Sequence, residues 1–145
     1  MNQIVVGVDG SEAATDALKM AAKLAGPMDA RLTLVHVKRP ILLSPDPYEH
    51  LIDEMRLQAE RESNAILEHA VRNAEAAGAS VEVLSPEGPV AESLALIAEE
   101  RKALMLVVGS RGRNAVARVM LGSVADRAVH ISKVPVLVAR SGAGH

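Results

Sequence analysis

Short runs of β-branched and aliphatic residues alternate with helical patterns from one end of this 145-residue chain to the other, and this alternation limits the fold more than any other feature. Ile4 to Val8 is a β-branched run. Asp9-Gly10-Ser11 follows it, and then a helical pattern through Ala13, Ala17, Met20, Ala21 and Leu24 that stops at Gly26-Pro27. Arg31 to Val37 reads as a second strand, and Lys38 to Pro47, with three prolines and Ser44, as a loop. From Tyr48 to Ala77 the apolar positions Ile52, Met55, Ala59, Ile66, Ala70, Ala74 and Ala77 fall three or four apart, or seven where Ser63 fills the gap. One amphipathic helix ended by Gly78 is expected there. About 30 residues would reach about 45 Å, longer than a compact domain of this size needs, so its first turns are expected to stand apart.

Val81 to Leu84 gives a third strand, and Gly88-Pro89 opens a helix carrying Val90, Leu94, Ile97 and Ala98, with proline at the first helical position. Leu104 to Val108 and Val134 to Ala139 are the fourth and fifth strands, separated by a glycine-punctuated segment and a last helix. Strands apolar on both faces and alternating with helices belong to a parallel sheet covered on both sides. The expectation is a doubly wound α/β fold with right-handed crossovers, one domain over residues 1–141 and a short C-terminal tail at 142–145.

The core of such a sheet must here be aliphatic, because Tyr48 is the sole aromatic residue while 49% of the chain is hydrophobic. Functions that need several aromatic platforms, such as single-strand stacking, a methylammonium cage or a flavin sandwich, are disfavoured. Sixteen Lys and Arg against eighteen Asp and Glu give a net charge of −2, so no global field draws in nucleic acid or an acidic membrane. Without cysteine there is no disulfide, thiolate metal site or cysteine nucleophile. The opening Met1-Asn2-Gln3-Ile4 lacks a basic region and no eighteen apolar residues run together, so neither a signal peptide nor a membrane span is expected and a cytoplasmic protein is the default.

In an open parallel sheet ligands sit outside the carboxyl ends of the strands, where the strand order reverses. Two strand ends stand out: Gly7-Val8-Asp9-Gly10-Ser11, and Gly109-Ser110-Arg111-Gly112-Arg113-Asn114 leading to Gly122-Ser123. Glycines after a buried strand let backbone N–H groups approach an anion, and a following helix start adds about half a positive charge. Arg111, Arg113, Arg118 and Arg127 face only Asp126 in this stretch, a local excess of three positive charges that points to a phosphate. Ser123, three residues before Asp126, has the form of a capping box; its hydroxyl either caps the helix or faces the cleft. The alternative reading is that the glycines only shape turns.

The spacing Gly109-x2-Gly112, nine residues, Gly122-Ser123, between an apolar strand and a last helix followed by Val134-Pro135-Val136-Leu137-Val138, resembles the nucleotide-binding signature of the universal stress protein family. Ile4-Val5-Val6-Gly7-Val8-Asp9-Gly10-Ser11 resembles that family's opening and Leu34-Val35-His36-Val37 its second strand, so the likeness covers almost the whole chain. Two departures, Leu104 where the family often has Asp and Gly88-Pro89-Val90 where it has Gly-x-Pro, lie away from the signature. The resemblance implies a five-stranded Rossmann-like sheet of order 3-2-1-4-5 that binds ATP. It implies that Gly109, Gly112, Gly122 and Ser123 contact phosphates and ribose, with backbone help from Ser110, Arg111, Arg113, Asn114 and Val124. It places Asp9 near the ribose or a phosphate-bound Mg²⁺ or Mn²⁺, and Val37 with Gly7 and Val8 along the adenine. It also implies a homodimer joined through Val134 to Val138, an uncharged run expected at a sheet edge.

Asp9 is read as a cation ligand or an N-cap, and His36 as a hydrogen-bonded core histidine. His50, His69 and His130 are not read as metal ligands, and Met55, Met105 and Met120 read as core fillers. No general base stands beside a positioned nucleophile, so the expected function is an ATP-binding regulatory protein of the stress response with an unidentified protein partner. Weak hydrolysis or autophosphorylation at Ser110 or Ser123 is the most that resemblance allows. The alternative is an interaction module of the same fold that binds no nucleotide. A receiver domain, which needs an acidic pair after strand one and an aspartate after strand three, does not match Asp9 alone and Ser85-Pro86.

Overall fold

A computed structural model describes residues 1–111 and 120–140. The order is β1 (Asn2–Gly7), α1 (Glu12–Ala25), β2 (Ala30–Val35), α2 (Pro45–Ala76), β3 (Val81–Leu84), α3 (Val90–Glu100), β4 (Met105–Gly109), α4 (Ser123–Ile131) and β5 (Val136–Ala139). All pairings are parallel, in the order β3-β2-β1-β4-β5. The alternation therefore yields the doubly wound sheet expected of it. Strand limits shift by one or two residues, most at β2, which ends at Val35, and at β5, which begins at Val136.

Side chains alternate between two aliphatic layers, as pleating requires. Ile4, Val6, Leu32, Leu34 and Val107 pack under α1 and α2, while Val5, Val35, Leu106 and Val108 pack under α3 and α4. α1 reaches the sheet through small residues, with Ala13, Ala14, Ala17, Ala21, Ala22 and Ala25 all buried. Its contact with β4 is so close that a Cβ on Gly109 would lie 2.7 Å from the carbonyl carbon of Ala13.

The helix expected from Tyr48 is present: residues 46–48 leave the helical region, so the regular part of α2 starts after Tyr48 and the turn before it stands apart. Other local expectations are corrected. Ala77 is exposed at the C-cap of α2. Pro89 is the N-cap of α3 rather than its first residue, since its ψ of 133° is extended while its fixed φ of −65° leads into the helix. Met20, Met55 and Met120 are exposed and fill no core, whereas Met105 packs against it, as does Met28.

At the β3 edge the Arg101 guanidinium donates to Glu82 Oε2 at 2.6 Å and ties the end of α3 to the sheet. That hydrogen bond holds the Glu82 carboxyl below its ordinary value; desolvation opposes it, and the charges of Arg101 and Arg31 add to it. Because the folded-state value is lowered, the pair stabilises the fold above the ordinary carboxylate range and its contribution is lost as pH falls through the lowered value.

Gly109→Ala should lower the urea midpoint by an amount equivalent to roughly 1–3 kcal/mol, because the backbone of Ala13 has to move. Gly26→Ala should cost nothing, since Gly26 has helical angles and open space where a Cβ would go. Arg101→Leu should cost up to about 1 kcal/mol at neutral pH. In urea titrations the parent and this variant should converge as the solution is acidified; a gap that persists in acid would show that the pair is not its source.

Candidate functional site

The chain leaves β1 toward β2 and β3 on one side and returns to place β4 and β5 on the other, so the loops after β1 and β4 part above the centre of the sheet. A cleft of about 1030 Å³ opens there. Gly7, Val8, Asp9, Val37, Gly109, Arg111, Gly122, Ser123 and Val124 all line it, so nine of the residues picked from sequence meet at one place. Gly112, Arg113 and Asn114 lie outside the described residues, as does Arg118. Ser110 sits behind the cleft wall, buried, with its N–H donating to Ala139 O at 2.7 Å and its carbonyl accepting from Gly122 N at 2.7 Å. Both of its backbone groups are engaged in these bonds. Arg127 also leaves the expected basic cluster, pairing with Glu92 of α3 at 3.5 Å.

The two helix starts at the cleft are built differently. At α1 the backbone N–H of Ser11 donates to Asp9 Oδ1 at 2.9 Å, and Ser11 Oγ accepts from Ala14 N at 3.1 Å. Ser11 is the N-cap, and Asp9 holds the cap in place. At α4 the N-cap is Gly122, which has no side chain to offer; Ser123 is the first helical residue and makes no capping bond, which corrects the capping-box reading. The first intrahelical bond of the turn runs from Asp126 N to Gly122 O at 2.9 Å, so the N–H groups of Ser123, Val124 and Ala125 precede the helical ladder, and these three residues line the cleft. Gly122 has φ −64° and ψ 158°, angles open to any residue.

Across the cleft, the end of β2 presents a second polar edge. Val35 O accepts from Val8 N at 2.9 Å, so the alternation of the strand turns the N–H and C=O of Val37 toward the same side, beyond the end of β1. His36 N–H donates to Leu84 O at 3.1 Å and Lys38 N–H to Pro86 O at 2.8 Å, on the other side. Val37 thus offers one donor and one acceptor, side by side, to the cleft. Val8, Val37 and Val124 supply aliphatic walls.

Sequence reasoning passed over several wall residues. Lys38, Arg39 and Ile41 follow β2 directly, and their position after a strand end was the available signal. Met55, Ala59 and Glu62 come from α2, whose apolar stripe reads as core in the sequence but overhangs the cleft in its N-terminal half. His36 also lines the cleft, and its Nδ1 shares a hydrogen bond of 2.8 Å with Ser63 Oγ, as the core-histidine reading anticipated in part. Among the described residues no group of three or more His, Cys, Asp or Glu could hold a metal ion. No described helix is long and apolar enough to cross a membrane.

The sequence profile of the universal stress protein family matches residues 1–140. The chain belongs to the universal stress protein family. It is 34% identical over 146 aligned residues to universal stress protein YxiE of Bacillus subtilis strain 168, covering 96% of this chain and 99% of that one. Among solved structures, hypothetical protein MJ0577 superposes with a TM-score of 0.83 at 25% identity, over 96% of this chain and 95% of its own. A universal stress protein crystallised in complex with cAMP has a TM-score of 0.70 at 30% identity, over 97% of both chains. Family membership and the 3-2-1-4-5 Rossmann-like sheet therefore agree.

Proposed function

We propose that this member of the family binds an adenine nucleotide, with ATP as its principal ligand, and acts as a nucleotide-dependent regulator in the stress response. The observation that carries the proposal is the pairing, across one cleft, of a helix start at α4 without a side-chain cap and the N–H and C=O of Val37, which meet no partner among the described residues. The first suits phosphate, because three N–H groups and the helix dipole converge on it with Arg111 nearby. The second suits adenine, whose Watson–Crick edge has one ring-nitrogen acceptor beside an amino donor. The cAMP complex of a relative 30% identical to this chain supports the same ligand class.

Gly109, Ser123 and Val124 would follow the phosphates and ribose, while Gly7, Val8 and Val37 would enclose the base. Asp9 would lie near the ribose or a phosphate-bound Mg²⁺ or Mn²⁺. With one such ligand and no metal-binding cluster among the described residues, the cation would take its remaining ligands from phosphate and water, which suits Mg²⁺. The reading assigns binding and no catalytic residue. It includes a cytoplasmic location and an unidentified protein partner. β5 lies at the sheet edge with β4 on one side only, and the residues around it, Val134 to Val138, are uncharged, so a homodimer of two-fold symmetry through this strand is part of the proposal.

One observation favours the alternative of a module without nucleotide. Gly109 is required by packing against the backbone of Ala13, and a Cβ on Gly7 would press on the end of the Leu94 side chain, so part of the signature is explained without a ligand. Gly122 separates the two readings, because its backbone angles do not demand glycine.

Protein denatured after purification should release an adenine nucleotide identifiable by mass spectrometry, and calorimetry on stripped protein should show ATP binding. Gly122→Val should abolish that binding with the far-UV circular dichroism unchanged; retained affinity would sink the phosphate assignment. Light scattering at micromolar concentration should give twice the chain mass, and Val136→Lys should halve it. A monomeric parent would remove the dimer from the proposal.

A further inference from the structure

We infer that Ser63 is a positioning residue for base selection: through His36 and Ser85 it holds the Val37 peptide in the orientation that distinguishes adenine from guanine. The inference rests on the nucleotide reading above.

Ser63 lies on the apolar stripe of α2, fully buried, where an aliphatic side chain would pack without cost. Its hydroxyl is instead shared between two other elements. It bonds His36 Nδ1 at 2.8 Å, just past the end of β2, and Ser85 Oγ, just past the end of β3. The backbone closes the circuit, because His36 N–H donates to the carbonyl of Leu84, the residue before Ser85. His36 is therefore tied to the end of β3 twice, once by its backbone and once by its side chain through Ser63. On the far side of Val37, Lys38 N–H donates to Pro86 O and Lys38 O accepts from Gly88 N at 2.9 Å. Val37 is thus clamped before and after, while its own N–H and C=O remain on the cleft side.

The donor that Val37 offers belongs to the peptide joining it to His36, so its direction is set by the torsion of His36. Hydroxyls can reverse donor and acceptor roles, so this chain keeps the imidazole fixed in either tautomer. Adenine presents an acceptor and a donor to the pair, whereas guanine presents a ring N–H where adenine has a lone pair. Discrimination of that kind depends on hydrogen-bond direction, which weakens steeply when a donor swings away. The phosphate end of the cleft, at α4 on the opposite side of β1, shares none of these ties. Loss of the Ser63 hydroxyl should therefore weaken selection of the base and leave phosphate binding intact.

The test is to measure Kd for ATP by calorimetry, and for GTP by competition, with the parent, Ser63→Ala and Ser85→Ala. The preference for ATP over GTP should fall about tenfold in Ser63→Ala, with GTP affinity unchanged, and should fall in the same sense in Ser85→Ala. Equal weakening of both nucleotides, or an unchanged ratio in both variants, would overturn the inference and leave the serine a purely structural role. If Ser63→Ala does not fold, the ratio in Ser85→Ala decides, because Ser85 is only half-buried. A parent that binds neither nucleotide overturns the nucleotide reading and this inference together; a parent that prefers ATP, with variants that keep its ratio, overturns this inference alone.

Discussion

The approach of α1 to the end of β4 is the contact on which the rest of the site depends. The first turn of α1 presses so closely on Gly109 that no side chain fits between them, and the alanines along the helix keep that distance over its full length. With α1 seated there, the β1 loop must turn sharply through Asp9 and Ser11. The opening above the sheet is thus produced by a packing requirement among small residues. A core without phenylalanine or tryptophan makes this feasible, since aliphatic side chains allow thin layers and short helix-to-sheet distances.

Two kinds of polar group were left over by that packing, and they lie on opposite walls. The start of α4 lacks a side-chain cap, and the chain at the end of β2 outruns its neighbour β1, leaving the backbone groups of Val37 without a partner among the described residues. Neither feature stabilises the folded chain by itself. Their proximity in one cleft is what gives the nucleotide reading its weight, and membership of the universal stress protein family fits it. The signature glycines carry less of that weight than their spacing suggests, because Gly109 and Gly7 answer to neighbouring side chains and backbone.

Much of this was legible in the residues alone. Five apolar runs gave five parallel strands because a sheet covered on both faces leaves no polar positions to blur the pattern. Nine site residues converge because glycines and an aspartate at strand ends mark the crevice of any doubly wound sheet. What could not be read depends on single-residue phase or on overhang. Ser123 reads as a cap, but glycine can occupy the cap position and shift the helix start by one. Met20 falls beside the buried stripe of α1 rather than in it. Met55 and Ala59 continue a stripe that is core further along α2, yet at their height there is no sheet beneath them. Ser63 interrupts that stripe in the sequence, and only the arrival of His36 and Ser85 from two strands shows why a hydroxyl is there.

The uncapped start of α4 has a consequence for the lifetime of the chain. A helix capped by glycine is less secure than one with a serine cap by a few tenths of a kcal/mol. An anion that meets its first N–H groups in the folded state alone would add RT ln(1 + [L]/Kd) to stability, about 2.7 kcal/mol at a hundredfold excess over Kd. Resistance to heat and to proteolysis would then follow the concentration of the ligand, so that the amount of folded protein becomes itself a record of the nucleotide supply.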